Sequence, residues 1–412
     1  MAQSTDIVIV GGGIAGCALA TVLARDGYEV VVLERQEHYR DKVRGEAIMP
    51  WGVAELRQLG LEEALLAAGG SYGTQLVLYD EVTAAADAEA AAAPLDQLLP
   101  GVPGALGVGH PEACQALAQA ARVAGATVAQ GVGDVTISTG NTQRVRYQLD
   151  GFEREVRCRL VVGADGRLST VRRQLGIGLT QSTPRIMGGG MLVDGLDSWP
   201  SHRSSLGTEG DLHYLLFPRA GGRVRLYLLY AIEQKGRFKG PNRHKEFLDA
   251  YRFQCIPASE DIATANPAGP CAFYPMNDSW TDMPYAEGAV LIGDAAGWND
   301  PIIGQGLSLA FRDARMVADI LRSGSDWSAA AFAPYGEDRR ERMRRLRLAA
   351  ALTTDIKATF TPEGAARRKR WDEVWREYPL FSGLKLVPLL GPETAPAEAF
   401  EPYNLKRILA LS

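Results

Sequence analysis

Apolar and polar positions change period several times along the chain, and each change marks an element. Ile7-Val8-Ile9-Val10 is a β-branched run that predicts a strand buried on both faces. A glycine turn follows. Cys17 to Ala24 then predicts a helix, stopped by Arg25-Asp26-Gly27 with glycine where a left-handed C′ residue belongs. Tyr28 to Leu33 predicts a second strand. Further on, Val145, Tyr147 and Leu149 alternate, Asp150-Gly151 signals a hairpin turn, and Val156, Cys158 and Leu160 alternate again. His213 to Phe217 and Arg223 to Ile232 flank the turn Pro218–Gly222 as another hairpin. In it Val224, Leu226, Leu228 and Tyr230 share one face, and Arg225, Tyr227 and Leu229 the other. Ala289 to Ile292 is a further buried strand, and a helix begins near Gly306 with Leu309, Phe311, Val317 and Ile320 along it.

Three stretches are less periodic. Val82 to Pro103 is alanine-rich and reads as a long connection. Glu337 to Arg347 holds six arginines, but Asp338–Arg342 and Glu341–Arg345 fall at i,i+4, which predicts a solvated helix face. Trp371 and Trp375 share one helical face and predict docking onto the body of the protein.

Strands alternating with helices predict an α/β protein, and 412 residues exceed what one core usually serves. Ile7 to Ala24 is free of charge for eighteen residues, yet Asp6 precedes it and three glycines interrupt it, so a strand, a glycine turn and a helix explain it better than a membrane span or signal peptide. The expectation is a cytoplasmic protein without stable membrane association. Net charge is −5, from 44 basic and 49 acidic residues, the wrong sign for a nucleic-acid binder. Five scattered cysteines without a C-x-x-C disfavour a zinc ribbon, a disulfide scaffold and a dithiol motif, and no metal site is expected. Glycine is in excess, at 45 residues, which suggests close backbone approach to a ligand.

The first glycines carry chemistry. Gly11-Gly12-Gly13-Ile14-Ala15-Gly16 is a G-x-G-x-x-G between strand and helix, and Glu34 ends the second strand. Gly11 permits the tight turn, Gly13 lets a pyrophosphate approach the backbone, and Gly16 lets helix and strand pack closely. The helix N-terminus offers N–H groups to phosphates, and Glu34 can accept from a ribose diol. This unit says dinucleotide without choosing between NAD and FAD. Two later segments narrow the choice: Gly163-Ala164-Asp165-Gly166 with Ser169 and Arg172, and Gly293-Asp294 followed by Pro301 and Gly304-Gln305-Gly306-Leu307.

With those three motifs in that order over residues 5–345, the chain resembles the FAD-dependent aromatic hydroxylases of para-hydroxybenzoate hydroxylase fold, the group A flavoprotein monooxygenases. The resemblance implies a discontinuous Rossmann-like FAD-binding domain (1–75, 105–180 and 285–330), a β-sheet substrate domain (76–104 and 181–284) and a C-terminal helical region (331–412). It implies that Gly11, Gly13, Ile14, Ala15 and Gly16 cradle the pyrophosphate of FAD and that Glu34 holds the adenosine ribose. Arg35 would lie by the adenine, Arg44 by the pyrophosphate or ribose, and Asp165 and Gly166 in the motif tied to FAD and NAD(P)H. Gly293 and Asp294 would meet the ribityl chain, and Pro301, Gly304, Gln305, Gly306 and Leu307 the flavin ring. His213, Tyr214, Phe217, Tyr227, Tyr230 and Tyr274 are candidates for the substrate pocket, His213 more as a structural residue than as a base. No catalytic side chain is singled out, because the chemistry belongs to the flavin.

The implied activity is insertion of one oxygen atom from O2 into an aromatic or olefinic small molecule through a C4a-hydroperoxyflavin, with NAD(P)H as a transient reductant. A single strand–glycine–helix unit argues against enzymes that carry two. The absence of W-x-W-x-I-P makes a halogenase the poorer fit. There are departures: Gly297 stands where many hydroxylases have histidine, Ser308 where they often have asparagine, and His110-Pro111 where relatives commonly open a helix with a flavin-contacting arginine. Gly297 is also similar to geranylgeranyl-reductase-like enzymes, so a flavin-dependent alkene reductase stays open as the alternative.

Overall fold

A computed structural model describes residues 3–43, 45–140 and 142–411. Its centre is a six-stranded sheet in the order Tyr285–Ala286, Ala289–Leu291, Leu160–Gly163, Ile7–Val10, Val30–Glu34 and Thr127–Gln130. All neighbours run parallel except the first pair. The β-branched runs are buried on both faces because each face has its own cover. Ile7, Ile9, Val30, Val32, Leu160 and Val162 meet the helices Ile14–Arg25, His110–Val123 and Gly306–Ser323. Val8, Val10, Val31, Leu33 and Val161 meet a small second sheet built on the hairpin Gln143–Leu149 and Phe152–Cys158. Each such side chain contributes about 1.5–3 kcal/mol on burial. The turn of that hairpin, Asp150-Gly151, is left-handed at both positions, with φ of 55° and 79°, as a two-residue turn that matches strand twist requires.

A separate eight-stranded sheet is built on Ile186–Asp194, Arg223–Ala231, Leu212–Arg219 and Arg203–Glu209, joined by Gln75–Leu78, Ala93–Pro94, Asn266–Pro267 and Ala272–Met276. Its two faces are distinct. Tyr214, Leu216, Val224, Leu226, Leu228 and Tyr230 pack under the helix Arg243–Asp249 with Tyr251 and Phe253. Leu215, Tyr227 and Leu229 face the other way, onto a core shared with Ile302, Ile303 and the C-terminal helices. Those helices, Ala333–Lys357, Pro362–Glu377, Pro379–Leu390 and Pro402–Leu411, each carry proline in the first turn, where its missing N–H is harmless. Trp371 and Trp375 are buried there, edge to face at 4.2 Å.

One expectation from the pattern is corrected. The arginine-rich helix does not present a wholly solvated face: Arg339 and Arg342 are almost completely buried. Arg339 Nε lies 3.0 Å from Asp313 Oδ2 and Arg342 Nη2 3.0 Å from Asp313 Oδ1, Asp313 itself being buried on the helix Gly306–Ser323. The i,i+4 pairs do form, Arg342 to Asp338 at 2.9 Å and Arg345 to Glu341 at 2.7 Å. Charge patterning could not tell which arginines turn inward, because their partner is 26 and 29 residues away. Burial pushes the Asp313 carboxyl toward its neutral form, but the two guanidiniums outweigh it and hold the carboxylate below its ordinary range. Asp313→Ala leaves the buried Arg339 without its anion and Arg342 with Asp338 alone, so urea unfolding is expected to show a loss of about 3–5 kcal/mol. A loss under about 1 kcal/mol would mean that the triad does not hold this region together.

Candidate active site

The expected motifs come together at the carboxyl ends of the parallel strands, where open α/β sheets bind ligands. Gly11 follows the strand Ile7–Val10 with φ of 108°, and a Cβ there would overlap the Ala164 carbonyl. A Cβ at Gly16 would overlap the Gly11 carbonyl. The protein's own packing requires both glycines. Gly13 differs: a Cβ there would meet no atom within 4 Å. It is the N-cap of the helix Ile14–Arg25 and offers no side-chain cap, so the first N–H groups of that helix have no partner from a capping side chain. Gly306, the first residue of the helix Gly306–Ser323, likewise faces open space, and Gln305 gives that helix no side-chain cap. Each of these helix N-termini presents its first N–H groups beside a bare glycine, at the positive end of its helix dipole.

Around these termini the polar residues are tightly placed. Glu34 is buried, its Oε2 accepting from Gly12 N at 2.7 Å and its Oε1 from Gln36 N at 2.7 Å. Tyr39 donates to the Gly12 carbonyl at 2.6 Å. Arg35 is exposed. Arg44 lies outside the described residues, and its neighbours Val43 and Gly45 have left-handed backbone. Ile14 and Ala15 are buried behind the first turn.

Asp165 accepts at Oδ1 from the Ser169 hydroxyl at 2.5 Å and at Oδ2 from Thr170 N at 2.6 Å, so its side chain folds its own loop. Gly166 is left-handed and faces open space. The loop also reaches the third motif. Arg167 Nε lies 3.2 Å from Asp294 Oδ2, and Arg172 Nη1 donates to the Ala295 carbonyl at 3.2 Å. Sequence reasoning missed Arg167 as a link, for nothing in its local pattern indicates a partner 127 residues away.

The third motif is clamped from behind. Asp313 Oδ2 accepts from Gly293 N at 2.8 Å, while Arg339 donates to the carbonyls of Ala296 at 2.9 Å, Gly293 at 3.0 Å and Gly297 at 2.9 Å. Asp294 is left partly exposed at the front. Pro301 opens a 3₁₀ turn capped by Asp300, Gly304 is left-handed, and Leu307 is buried. Gln305 was expected against a ring system, but its side chain turns inward. Its Oε1 accepts from Trp51 Nε1 at 2.7 Å, and its Nε2 donates to the carbonyls of Ile303 and, at 3.1 Å, Pro388. Pro388 lies in the last turn of the helix Pro379–Leu390, where the carbonyls have no intrahelical donor.

The substrate candidates separate by sheet face. Tyr214 and Tyr230 lie in the outer core, away from those helix N-termini, since alternation puts them opposite Leu215 and Tyr227. Tyr227 and Phe217 share the inner face, edge to face at 6.2 Å. Tyr274 is exposed and donates to the Lys42 carbonyl at 3.3 Å. His213 is fully buried against Thr208 Oγ1 at 2.9 Å, whose hydroxyl donates to the Lys357 carbonyl. Burial, helped by Lys357 and Arg368, pulls its pKa down to about 3. It is a neutral tie between sheet and C-terminal helix. One further group was not anticipated: Glu46, buried and paired with Arg219 at 3.1 Å and Arg225 at 2.9 Å.

Comparison with known proteins agrees with this architecture. A family model described as FAD binding domain matches residues 4–347. A squalene monooxygenase from Panax ginseng is 26% identical over 328 residues, covering 78% of this chain. The chain spans only 59% of that relative's length. A 3-demethoxyubiquinol 3-hydroxylase from Escherichia coli is 27% identical over 364 residues, covering 84% of this chain and 86% of the relative. A menaquinone reductase from Mycolicibacterium smegmatis is 26% identical over 344 residues, covering 80% of each. Among solved structures, PqsL of P. aeruginosa in complex with 2-aminobenzoylacetate superposes with a TM-score of 0.72 at 21% identity, covering 87% of this chain and 98% of that one.

The burial of His213 has a measurable consequence. Its folded-state pKa lies below the ordinary 6.5, so the unfolded chain takes up a proton that the folded chain excludes. The stability it leaves intact above pH 6.5 is lost as pH falls from there toward 3, by up to about 1.4 kcal/mol per unit. Urea unfolding between pH 6.5 and 5 is expected to show about 1.6 kcal/mol of loss from this residue. A His213→Asn variant should be flatter by that amount, and an equally steep variant would remove His213 as the cause.

Proposed function

The chain belongs to the FAD binding domain family, and from that premise we propose that it is a NAD(P)H-consuming flavin monooxygenase acting on an aromatic or olefinic small molecule. FAD, when bound, supplies the redox chemistry that activates O2 after reduction by NAD(P)H. The observation that carries the reading is the pair of uncapped helix N-termini beside Gly13 and Gly306, with three distant motifs locked around them. The residues present fit the cofactor: Gly13 and Gly306 both face open space, which leaves a ligand room to approach the backbone.

In this reading Gly11, Gly13, Ile14, Ala15 and Gly16 bring the first helix N-terminus to the pyrophosphate, and Glu34 accepts from the ribose. Asp294, partly exposed beside Arg167, is offered to the ribityl hydroxyls. Gly304, Gly306 and Leu307 bring the second helix N-terminus to the ring, where its dipole favours developing negative charge. Asp165 serves the cofactor indirectly, by folding the loop that carries Gly166, Arg167 and Arg172. The eight-stranded sheet, through its inner face, excludes water and orients the substrate. Alkene reduction is not favoured: two of the relatives above are named monooxygenase and hydroxylase, against one named reductase.

Two measurements test this. Gly13→Ala meets no protein atom, so it is expected to melt like the parent yet bind FAD at least about ten-fold more weakly. Gly16→Ala should instead lose folded protein. Unchanged flavin occupancy in Gly13→Ala would remove the pyrophosphate assignment. With substrate, NAD(P)H oxidation should consume O2 and stop under nitrogen; sustained anaerobic turnover would instead indicate the reductase.

A further inference from the structure

Elements distant in sequence bring apolar side chains together beside the third motif. Leu215 and Tyr227 come from the inner face of the eight-stranded sheet, and Ile302 and Ile303 from the turn Pro301–Ile303 that ends at Gly304. Leu98 comes from the alanine-rich connection, and Leu390 ends the helix Pro379–Leu390. Side chains where so many elements meet are ordinarily sealed. Leu98, Leu215, Tyr227, Gly304 and Leu390 are instead half-buried. Walls that face one another and still keep water-accessible surface leave a cleft between them.

Met49, itself half-buried, stands in that cleft. It is the one described residue that packs against both apolar clusters, one built on Trp51, Ile302 and Ile303 and the other on Leu95 and Leu389. Its Cε lies 3.4 Å from where a Cβ of Gly304 would stand. The backbone at this point is held. Ala47–Ile48 pairs with the strand Ala105–Gly107, Met49 is the extended N-cap of the helix Pro50–Gln58, and Pro50 fixes the first turn. What remains adjustable is the thioether arm, unbranched and able to fill an irregular gap.

We propose that Met49 is a specificity-determining residue of the substrate site, a partition between the space beside Gly304 and the space toward Leu98 and Leu390. The proposal rests on the monooxygenase reading for the place of the flavin ring. With the arm across the cleft, a compact aromatic or olefinic molecule lies beside the Gly304 turn, and an elongated one meets Met49. Both sides of the partition are apolar, so it reads length and not charge. One methylene more or less in an apolar pocket is worth about 10–200-fold in selection, and truncating Met49 at Cβ removes three heavy atoms.

The test is equilibrium titration of the flavin-loaded protein, followed by the visible spectrum of the bound flavin, with 2-naphthol and 2-anthrol. The two share one hydroxyl and differ by one ring in length. The parent is expected to bind 2-naphthol at least about ten-fold tighter, although 2-anthrol is the more apolar. Met49→Ala should abolish or reverse that preference, and Met49→Leu, similar in volume, should keep it. A side chain that only supported the fold would weaken both compounds alike. No preference in the parent, an unchanged preference in Met49→Ala, or saturable binding of neither compound overturns the proposal. Met49→Val shortens the arm and carries the same expectation if the alanine variant loses its flavin. The titration needs no turnover. A protein that shows the preference and its loss, yet consumes no O2 with any compound, refutes the monooxygenase reading alone. O2-consuming turnover with an unmoved preference refutes the partition alone.

Discussion

A loop that leaves a strand and must present polar groups forward needs its backbone satisfied from behind. In this protein the need is met by one buried carboxylate, Asp313, and one buried guanidinium, Arg339. The stretch Gly293–Gly297 leaves its strand through a single 3₁₀ turn into a two-residue strand, so most of its carbonyls have no α-helical ladder to pair them in a water-poor interior. Arg339 supplies donors for three of them, which only a planar, multiply donating, permanently charged side chain can do. Asp313 pairs with Arg339 and, together with Asp338, with Arg342, while accepting from the same loop. Everything forward of that point, from the Asp294 carboxylate to the Gly306 helix terminus, is aimed by a cluster that a cofactor would never touch.

The same economy of contacts links the other motifs. Arg167 and Arg172 carry the second loop onto the third, and Gln305 carries the third onto the C-terminal helices through Trp51 and the donor-starved carbonyl of Pro388. The C-terminal region is therefore continuous with the site. Its helix Pro379–Leu390 shares a core with the inner face of the eight-stranded sheet. That sheet separates its tasks by alternation. One face is a closed aromatic core around Tyr214 and Tyr230, and the other joins apolar residues to the buried ion pairs of Glu46 with Arg219 and Arg225.

Much of the architecture was legible in the sequence because it is encoded locally. A run such as Ile7–Val10 is a buried strand by composition alone, and Gly11, Gly13 and Gly16 are spaced by the geometry of a strand entering a helix. The alternation around Tyr227 and Tyr230 correctly placed them on opposite faces, although it could not say which face was inward. What escaped was long-range pairing. The arginines of Glu337–Arg347 have real i,i+4 partners, and those local pairs hid the burial of Arg339 and Arg342 by Asp313. Asp165 and Gln305 were legible as motif members, yet their side chains hold protein atoms, which no spacing rule reveals. Glu46 had no signal beyond its position after Gly45, since its two arginines lie more than 170 residues away.

In the proposed reading separated segments converge on one flavin, with the ring beside the turn into the helix Gly306–Ser323 and in view of Tyr227. A crystal structure of the protein grown with FAD tests this most directly. Density is expected for the pyrophosphate at the first turn of Ile14–Arg25 and for the isoalloxazine against Gly304–Leu307. Density for the ring elsewhere, or side chains filling the space before Gly13 and Gly306, would contradict it.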